Sequence, residues 1–148
     1  RRPSISTLNA TRRQRQMCIR DRGWLKTGDK GWMDAEGYIY LAGRGDDMII
    51  RGGENISPEE VEDVLQSHPG IEEAAVIGIP DPEWGQEPRA VVVAKEGHDL
   101  DSQAVISYCQ PRLAGYKRPR SVVFVDRLPR NPMGKVLKRE LREKYGQP

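Results

Sequence analysis

The sequence predicts an α+β fold: a small layered domain in which a mixed sheet is flanked by two to three helices, with a short β segment ahead of it. Three observations lead there. Residues 74–79 and 89–94 are short runs rich in Val, Ile and Ala, of strand length and bounded by turn formers. Two segments carry apolar residues at helical spacing behind an N-cap residue. The helices fall between the strands, so each has a sheet face to cover.

Taken in order, residues 37–42 read as a strand entered from the turn Asp34-Ala35-Glu36-Gly37. Met48-Ile49-Ile50 is a second apolar strand, ended by Gly52-Gly53. A helix then starts with Ser57 as N-cap, Pro58 at the first helical position and Glu60 completing a Ser-x-x-Glu capping box. Its apolar face is Val61, Val64 and Leu65, and His68-Pro69-Gly70 stops it. The strands at 74–79 and 89–94 enclose a loop of turn formers at 80–85. Asp101 caps a second helix with the face Val105, Ile106, Cys109 and Leu113, and Gly115 suits its end. Pro111 falls inside that helix, where an interior proline costs ~3 kcal/mol, so a kink or a shortened helix is expected. Residues 121–125 form another strand, and a loop at 128–135 leads to a terminal helix at 138–144.

Composition narrows the function. The 148 residues allow one modest domain with a core, and 36% hydrophobic against 31% charged residues is a globular balance. No apolar run approaches the ~20 residues that cross a bilayer, and the first residues lack a secretory stretch. Cys18 and Cys109 make neither a disulfide framework nor a metal-ligand spacing, so no metal site is expected and a reducing cytoplasm is the simplest compartment.

Net charge is +2, but residues 1–22 hold seven arginines and one acid, leaving −4 for residues 23–148. A nucleic-acid module needs a basic face on the fold itself, so that reading loses. The first 22 residues have no helical or strand periodicity. Met17-Cys18-Ile19-Arg20-Asp21-Arg22 resembles the translation of a transposon end used in preparing sequencing libraries. Residues 1–22 are therefore expected to be an unstructured tail foreign to the natural protein.

The chemistry concentrates in three strings. Thr27-Gly28-Asp29 lies in a glycine-bearing turn, where an aspartate can accept hydrogen bonds from two vicinal hydroxyls, as a ribose requires. Residues 43–62, Gly-Arg-Gly-Asp-Asp-Met-Ile-Ile-Arg-Gly-Gly-Glu-Asn-Ile-Ser-Pro-Glu-Glu-Val-Glu, join two strands to the first helix. Pro129-Arg130-Asn131-Pro132-Met133-Gly134-Lys135 ends in a lysine beside a glycine. In this order, over nearly all of residues 23–148, the strings resemble the adenylate-forming superfamily of acyl-CoA synthetases, peptide-synthetase adenylation domains and beetle luciferases. Gly52-Gly53-Glu54-Asn55, Trp84-Gly85-Gln86 and Gly115-Tyr116-Lys117-Arg118-Pro119 look most like medium- or long-chain fatty acyl-CoA synthetases. Ile50 stands where luciferases place a lysine, and no carrier-protein segment follows Lys144.

That resemblance implies roles residue by residue. Asp29 and Arg44 would hold the ribose hydroxyls of ATP and AMP. Asp46 would be the hinge, with Gly45 giving the backbone latitude. Gly52 and Gly53 would let the main chain approach the pantetheine arm of CoA, with Trp84 lining the thiol tunnel or anchoring its loop. Tyr116, Lys117 and Arg118 would meet the CoA nucleotide. Lys135 would stabilise charge on the α-phosphate while a carboxylate attacks it, Gly134 giving its loop freedom.

The resemblance also implies a division of the chain: residues 23–45 end a large N-terminal domain that is mostly missing, and 46–148 form a C-terminal lid. The implied partners are ATP or AMP with Mg²⁺, CoA, and a fatty or other carboxylic acid, with an aryl- or short-chain acid ligase or a stand-alone CoA-binding lid as alternatives. The lid alone would not turn over; the full-length enzyme would be cytoplasmic, with peripheral membrane contact left open. His68 and His98 read as loop or cap residues, and the charges of 138–144 as a solvated helix face.

Overall fold

A computed structural model describes residues 19–20, 24–25 and 28–147. Expectations that rest on the remaining positions, Thr27 and nearly all of the basic tail among them, lie outside the described residues. The exception is β1 (Ile19–Arg20), which pairs antiparallel with β2 (Trp24–Leu25), a short ladder where an unstructured tail was expected.

The fold is α+β, and its centre is one long hairpin. β7 (Ile71–Asp81) and β8 (Gly85–Ala94) pair antiparallel along their whole length, from Ile71↔Ala94 to Asp81↔Gly85. The loop expected at 80–85 is thus much tighter. Asp81 Oδ1 accepts from the amides of Glu83 (3.0 Å) and Trp84 (2.6 Å), and Gly85 takes a positive φ of 81° to re-enter the ladder. β9 (Ser121–Phe124) lies parallel to β8, which makes the sheet mixed. β5 (Ile49–Arg51) meets β8 at Arg51↔Gly85 and pairs with β6 (Glu54–Ile56). β6 was not anticipated, because its Glu-Asn-Ile has no alternation to read.

The central hairpin is buried on both faces. Ala74, Val76, Ala90 and Val92 point one way, into a cluster with Ile49, Ile56, Val61, Leu65, Val105 and Cys109. Ala75, Ile77, Ile79, Val91 and Val93 point the other way, toward Leu128 and Leu141. Two-sided burial explains why these strands read as continuous apolar runs rather than as an alternation. Burial also pushes the Cys109 thiol above its ordinary pKa, leaving it an inert core group.

Among the described residues, three helices cover the faces. On the first lie α1 (Pro58–Gln66) and α2 (Ser102–Cys109); on the second lies α3 (Lys138–Tyr145). α1 starts as expected at Pro58, but without the capping box. The Ser57 hydroxyl donates to Glu59 at 2.8 Å, and Glu60 turns away to Lys117. Asp101 does cap α2, accepting from the Ala104 amide at 2.7 Å. Pro111 lies just past the last turn of α2, so the helix is shortened rather than kinked and Gly115 does not end it. At the sheet edge, Glu62 of α1 accepts from the outward Val76 amide at 2.7 Å, covering a donor that an edge strand leaves unpaired. Lys138 Nζ stands 2.8 Å from the same carboxylate, at an angle that makes an ion pair and no hydrogen bond. Arg89 of β8 reaches the far end of α3, donating to the carbonyls of Tyr145 (2.7 Å) and Gln147 (2.6 Å).

Ahead of this body, β3 (Asp29–Met33) and β4 (Ile39–Arg44) form a separate antiparallel hairpin. Its turn is closed by Asp34, whose Oδ1 accepts from the Glu36 and Tyr38 amides and whose Oδ2 accepts from the Tyr40 hydroxyl. Trp32 stacks on Tyr40 with ring centres 5.3 Å apart.

If the two-sided hairpin is the foundation of the fold, Ile77→Ala should cost about 2–5 kcal/mol. Urea unfolding should show a lower midpoint at an unchanged slope.

Candidate functional site

Lys135 sits on a closed turn, not on the free glycine arm that its sequence suggested. Asn131 organises that turn. Its Oδ1 accepts from the amides of Met133 (3.0 Å) and Lys135 (2.9 Å), while its own amide donates to the Lys135 carbonyl at 2.8 Å. Gly134 has a positive φ of 83°, which closes the turn at a position where other residues are strained. A bridge between Arg130 and Val136 and a bond from the Leu137 amide to the Pro129 carbonyl (2.8 Å) seal its base. The Arg130 guanidinium donates to the Gly134 carbonyl and pairs with Glu73 of β7 at 2.9 Å, fastening the turn to the sheet. The Lys135 side chain is exposed, and among the described residues its ammonium has no hydrogen-bond or ion-pair partner. An exposed cation on a fixed backbone is thus presented to solvent.

Asp46 lies between two anchors. On one side the Gly45 amide donates to the Gly28 carbonyl at 2.8 Å, holding Gly45 to the start of β3. On the other side Asp47 accepts from Arg142 of α3. Asp46 is exposed in the turn between them.

Asp29 and Arg44 are cross-strand partners in the β3–β4 ladder, directly opposite each other. Asp29 opens a strand rather than standing in a turn, and the pairing with Arg44 brings together two residues that are well separated in sequence.

Gly52 and Gly53 form the two-residue turn between β5 and β6, with φ of 57° and 87°. Positive φ at both positions is the signature of a type I′ hairpin turn and explains the glycine pair from local geometry. The Trp84 ring lies against Gly52, where an added Cβ would come 2.8 Å from Trp84 Cε3. The Gly52 amide donates to the Trp84 carbonyl at 2.8 Å, and the Arg51 guanidinium stands 5.2 Å from the ring centre. Gln86 completes the patch by accepting from the Ile50 amide at 2.8 Å. Three residues expected to act together therefore do share one surface.

Tyr116, Lys117 and Arg118 lie in the segment between α2 and β9. Lys117 donates to both carboxylate oxygens of Glu60 at 2.7 Å, and those hydrogen bonds hold its pKa above the ordinary lysine value. Arg118 donates to the carbonyls of Leu113 (3.0 Å) and Gln110 (2.8 Å), closing the chain after α2, and Tyr116 packs half-buried against the core. Both cations already have protein partners.

Sequence reasoning missed Asn131, Arg130, Asp47 and Arg142. The Asn131-Pro132 pair was a readable turn signal. The long-range ion pairs left none.

Residues 60–135 match the family model of the AMP-binding enzyme C-terminal domain. The long-chain-fatty-acid–CoA ligase FadD13 of Mycobacterium tuberculosis is 50% identical over 125 residues, 84% of this chain and 25% of that protein. A feruloyl-CoA synthase of Amycolatopsis sp is 49% identical over 128 residues, 86% of this chain and 26% of that protein. The crystal structure of ATP-bound MatB from Rhodopseudomonas palustris superposes with a TM-score of 0.80 at 42% identity, covering 91% of this chain and 27% of that one. The chain thus spans about a quarter of the length of the curated relatives it matches.

Because Gly52 combines a positive φ with contact to Trp84, Gly52→Ala should destabilise the domain by about 1–3 kcal/mol. Repeating it in a Trp84→Ala background should remove the steric part and leave the backbone part. Urea midpoints of the four proteins separate the two, and equal losses in both backgrounds would rule out the contact.

Proposed function

The chain belongs to the AMP-binding enzyme C-terminal domain family, and on that premise we propose that it is the hinge and lid of an ATP-dependent carboxylic acid–CoA ligase. Residues 23–45 would be the end of a larger preceding domain and 46–148 the lid. Exposed Trp32, Met33, Tyr38 and Leu41 on the β3–β4 hairpin support this division, since so large an apolar group invites cover. The observation that carries the reading is the Lys135 ammonium, without a partner among the described residues and held on a fixed turn downstream of a single residue flanked by two anchors.

In the proposed first step a carboxylate oxygen attacks the α-phosphorus of ATP, the bond to pyrophosphate breaks, and acyl-AMP forms. Lys135 would stabilise the charge that grows on the phosphoryl oxygens, while Asp29 and Arg44 hold the ribose. In the second step the lid turns about Asp46 and withdraws Lys135. The Gly52–Gly53 turn, with Trp84 beside it, then accompanies the pantetheine arm. The CoA sulfur attacks the acyl carbon, its proton passes to solvent, and the carbon–oxygen bond to AMP breaks. One lid would thereby serve two reactions in turn, presenting a different face to each. Mg²⁺ enters the proposal as the nucleotide's counter-ion; among the described residues no cluster of His, Cys, Asp and Glu converges to hold a metal. Lys117 and Arg118 would meet the CoA phosphates only by giving up Glu60 and the carbonyls after α2.

A medium- or long-chain fatty acid is the substrate we propose, by likeness to FadD13. An aryl acid is the second reading, favoured by the nearly equal identity to a feruloyl-CoA synthase. Such equality across unlike acids supports a lid that does not measure the acyl group. No helix among the described residues is long and apolar enough to cross a membrane.

In the full-length protein, Lys135→Ala should slow acyl-adenylate formation by roughly 10²–10³-fold, read as pyrophosphate release, while thioester formation from supplied acyl-AMP survives. Equal loss in both half-reactions would sink the alternating lid. Asp46→Pro should do the converse, sparing adenylation and blocking transfer to CoA; normal transfer in that variant removes Asp46 as the pivot.

A further inference from the structure

A pivot moves a distant side chain accurately only if its downstream flank is rigidly joined to the body that carries that side chain. Along the backbone, the route from Asp46 to Lys135 runs through nearly the whole domain. Through space it is short. The lysine turn passes by Leu137 directly into α3, and Leu141 pins α3 to the sheet. The next residue, Arg142, donates from Nη2 to Oδ1 of Asp47 at 2.5 Å. Asp47 is the residue immediately after Asp46.

From this geometry we infer that Arg142 is a positioning residue for Lys135. It welds the downstream flank of the pivot to the helix that carries the lysine turn, so the lid rotates as one piece and the ammonium arrives in register. The inference rests on the proposed roles of Asp46 and Lys135. Two features set this pair apart from ordinary surface charges. Its side chains are 34% and 23% exposed, whereas Arg139 and Glu143 on the same helix pair at 87% and 62%. Its partner is a short aspartate on a connecting segment, not a neighbour on its own helix. A solvated pair contributes little to stability, so Arg139 supplies the comparison. Charge and planar shape let Arg142 hold Asp47 in one orientation, which a single flexible ammonium does less well.

The test is a set of variants of the full-length protein, assayed for acyl-adenylate formation. Arg142→Gln and Asp47→Asn should each lower kcat roughly tenfold with KM for ATP unchanged, because misplacing a catalytic group costs rate rather than binding. Combining them should be no worse than either alone, and Arg139→Gln should have no effect. In a Lys135→Ala background Arg142→Gln should add nothing, since there is no ammonium left to misplace. Effects of Arg142→Gln and Asp47→Asn that multiply, an unchanged rate in Arg142→Gln, or a full further loss in the Lys135→Ala background would each overturn the inference. Wild-type adenylation by Lys135→Ala itself would bring down the lysine assignment, and this inference with it. A readout independent of activity comes from backbone ¹⁵N relaxation on the 148-residue chain. Asp47 should be as ordered as β5 in the parent and lose that order in Arg142→Gln; unchanged order would also overturn the weld.

Discussion

The structure depends on the burial of one hairpin on both of its faces. β7 and β8 supply small and β-branched residues in alternation to two separate clusters, one under α1 and α2 and one under α3. A sheet covered on only one side would leave α3 nothing to rest on, and the lysine turn is the segment that leads into α3. The second cluster is the smaller, with Leu141 as the buried residue of α3 itself, so apolar contact alone holds that helix by a narrow strip. Charges make up the difference. Lys138 faces Glu62 at the start of the helix, Arg142 meets Asp47 in its middle, and Arg89 collects the carbonyls at its end. Each contact reaches a different element, so together they fix both the rotation of α3 and its position along the sheet.

The same economy is visible at the connection ahead of the body. Gly45 is held from upstream by Gly28, and Asp47 from downstream by α3, so the chain is fastened on both sides of one residue. A flexible linker would permit a wide range of relative positions. A single free residue confines motion to two dihedral angles, and a rotation so confined has few end points. Whatever turns about Asp46 must turn as a unit.

Much of this was legible in the sequence, for identifiable reasons. Strands 74–79 and 89–94 announced themselves because two-sided burial demands unbroken apolar runs. The start of α1 at Pro58 and the Asp101 cap were readable because both obey rules of a few adjacent residues. What failed was of two kinds. β3 and β6 escaped because their residues, such as Asp29-Lys30-Gly31 and Glu54-Asn55, are poor strand formers, held in place only by the partner strand. The capping box at Ser57 failed because Glu60 had a better partner in Lys117, a competition invisible from the local pattern. At the candidate site Lys135, the Gly52–Gly53 pair and Asp46 were legible as members of local motifs, whereas the carbonyl partners of Arg118 were not, because they follow from how α2 ends before Pro111.

The lysine turn shows why rigidity and motion are not opposed here. A glycine beside a lysine suggests an arm that swings, yet Gly134 spends its conformational freedom on a fixed positive φ, and Asn131 ties the backbone on both sides of it. Swinging that turn alone would mean breaking the Asn131 contacts, the Arg130 link to Glu73 and the bridge at its base together. Rotating about Asp46 breaks none of them. Of the two ways to move this ammonium through a large distance, turning the whole domain therefore preserves every contact that defines the lysine's placement. Local flexibility would destroy them. The placement of a charge to within the tolerance of a reaction favours the route that keeps the backbone around it unchanged.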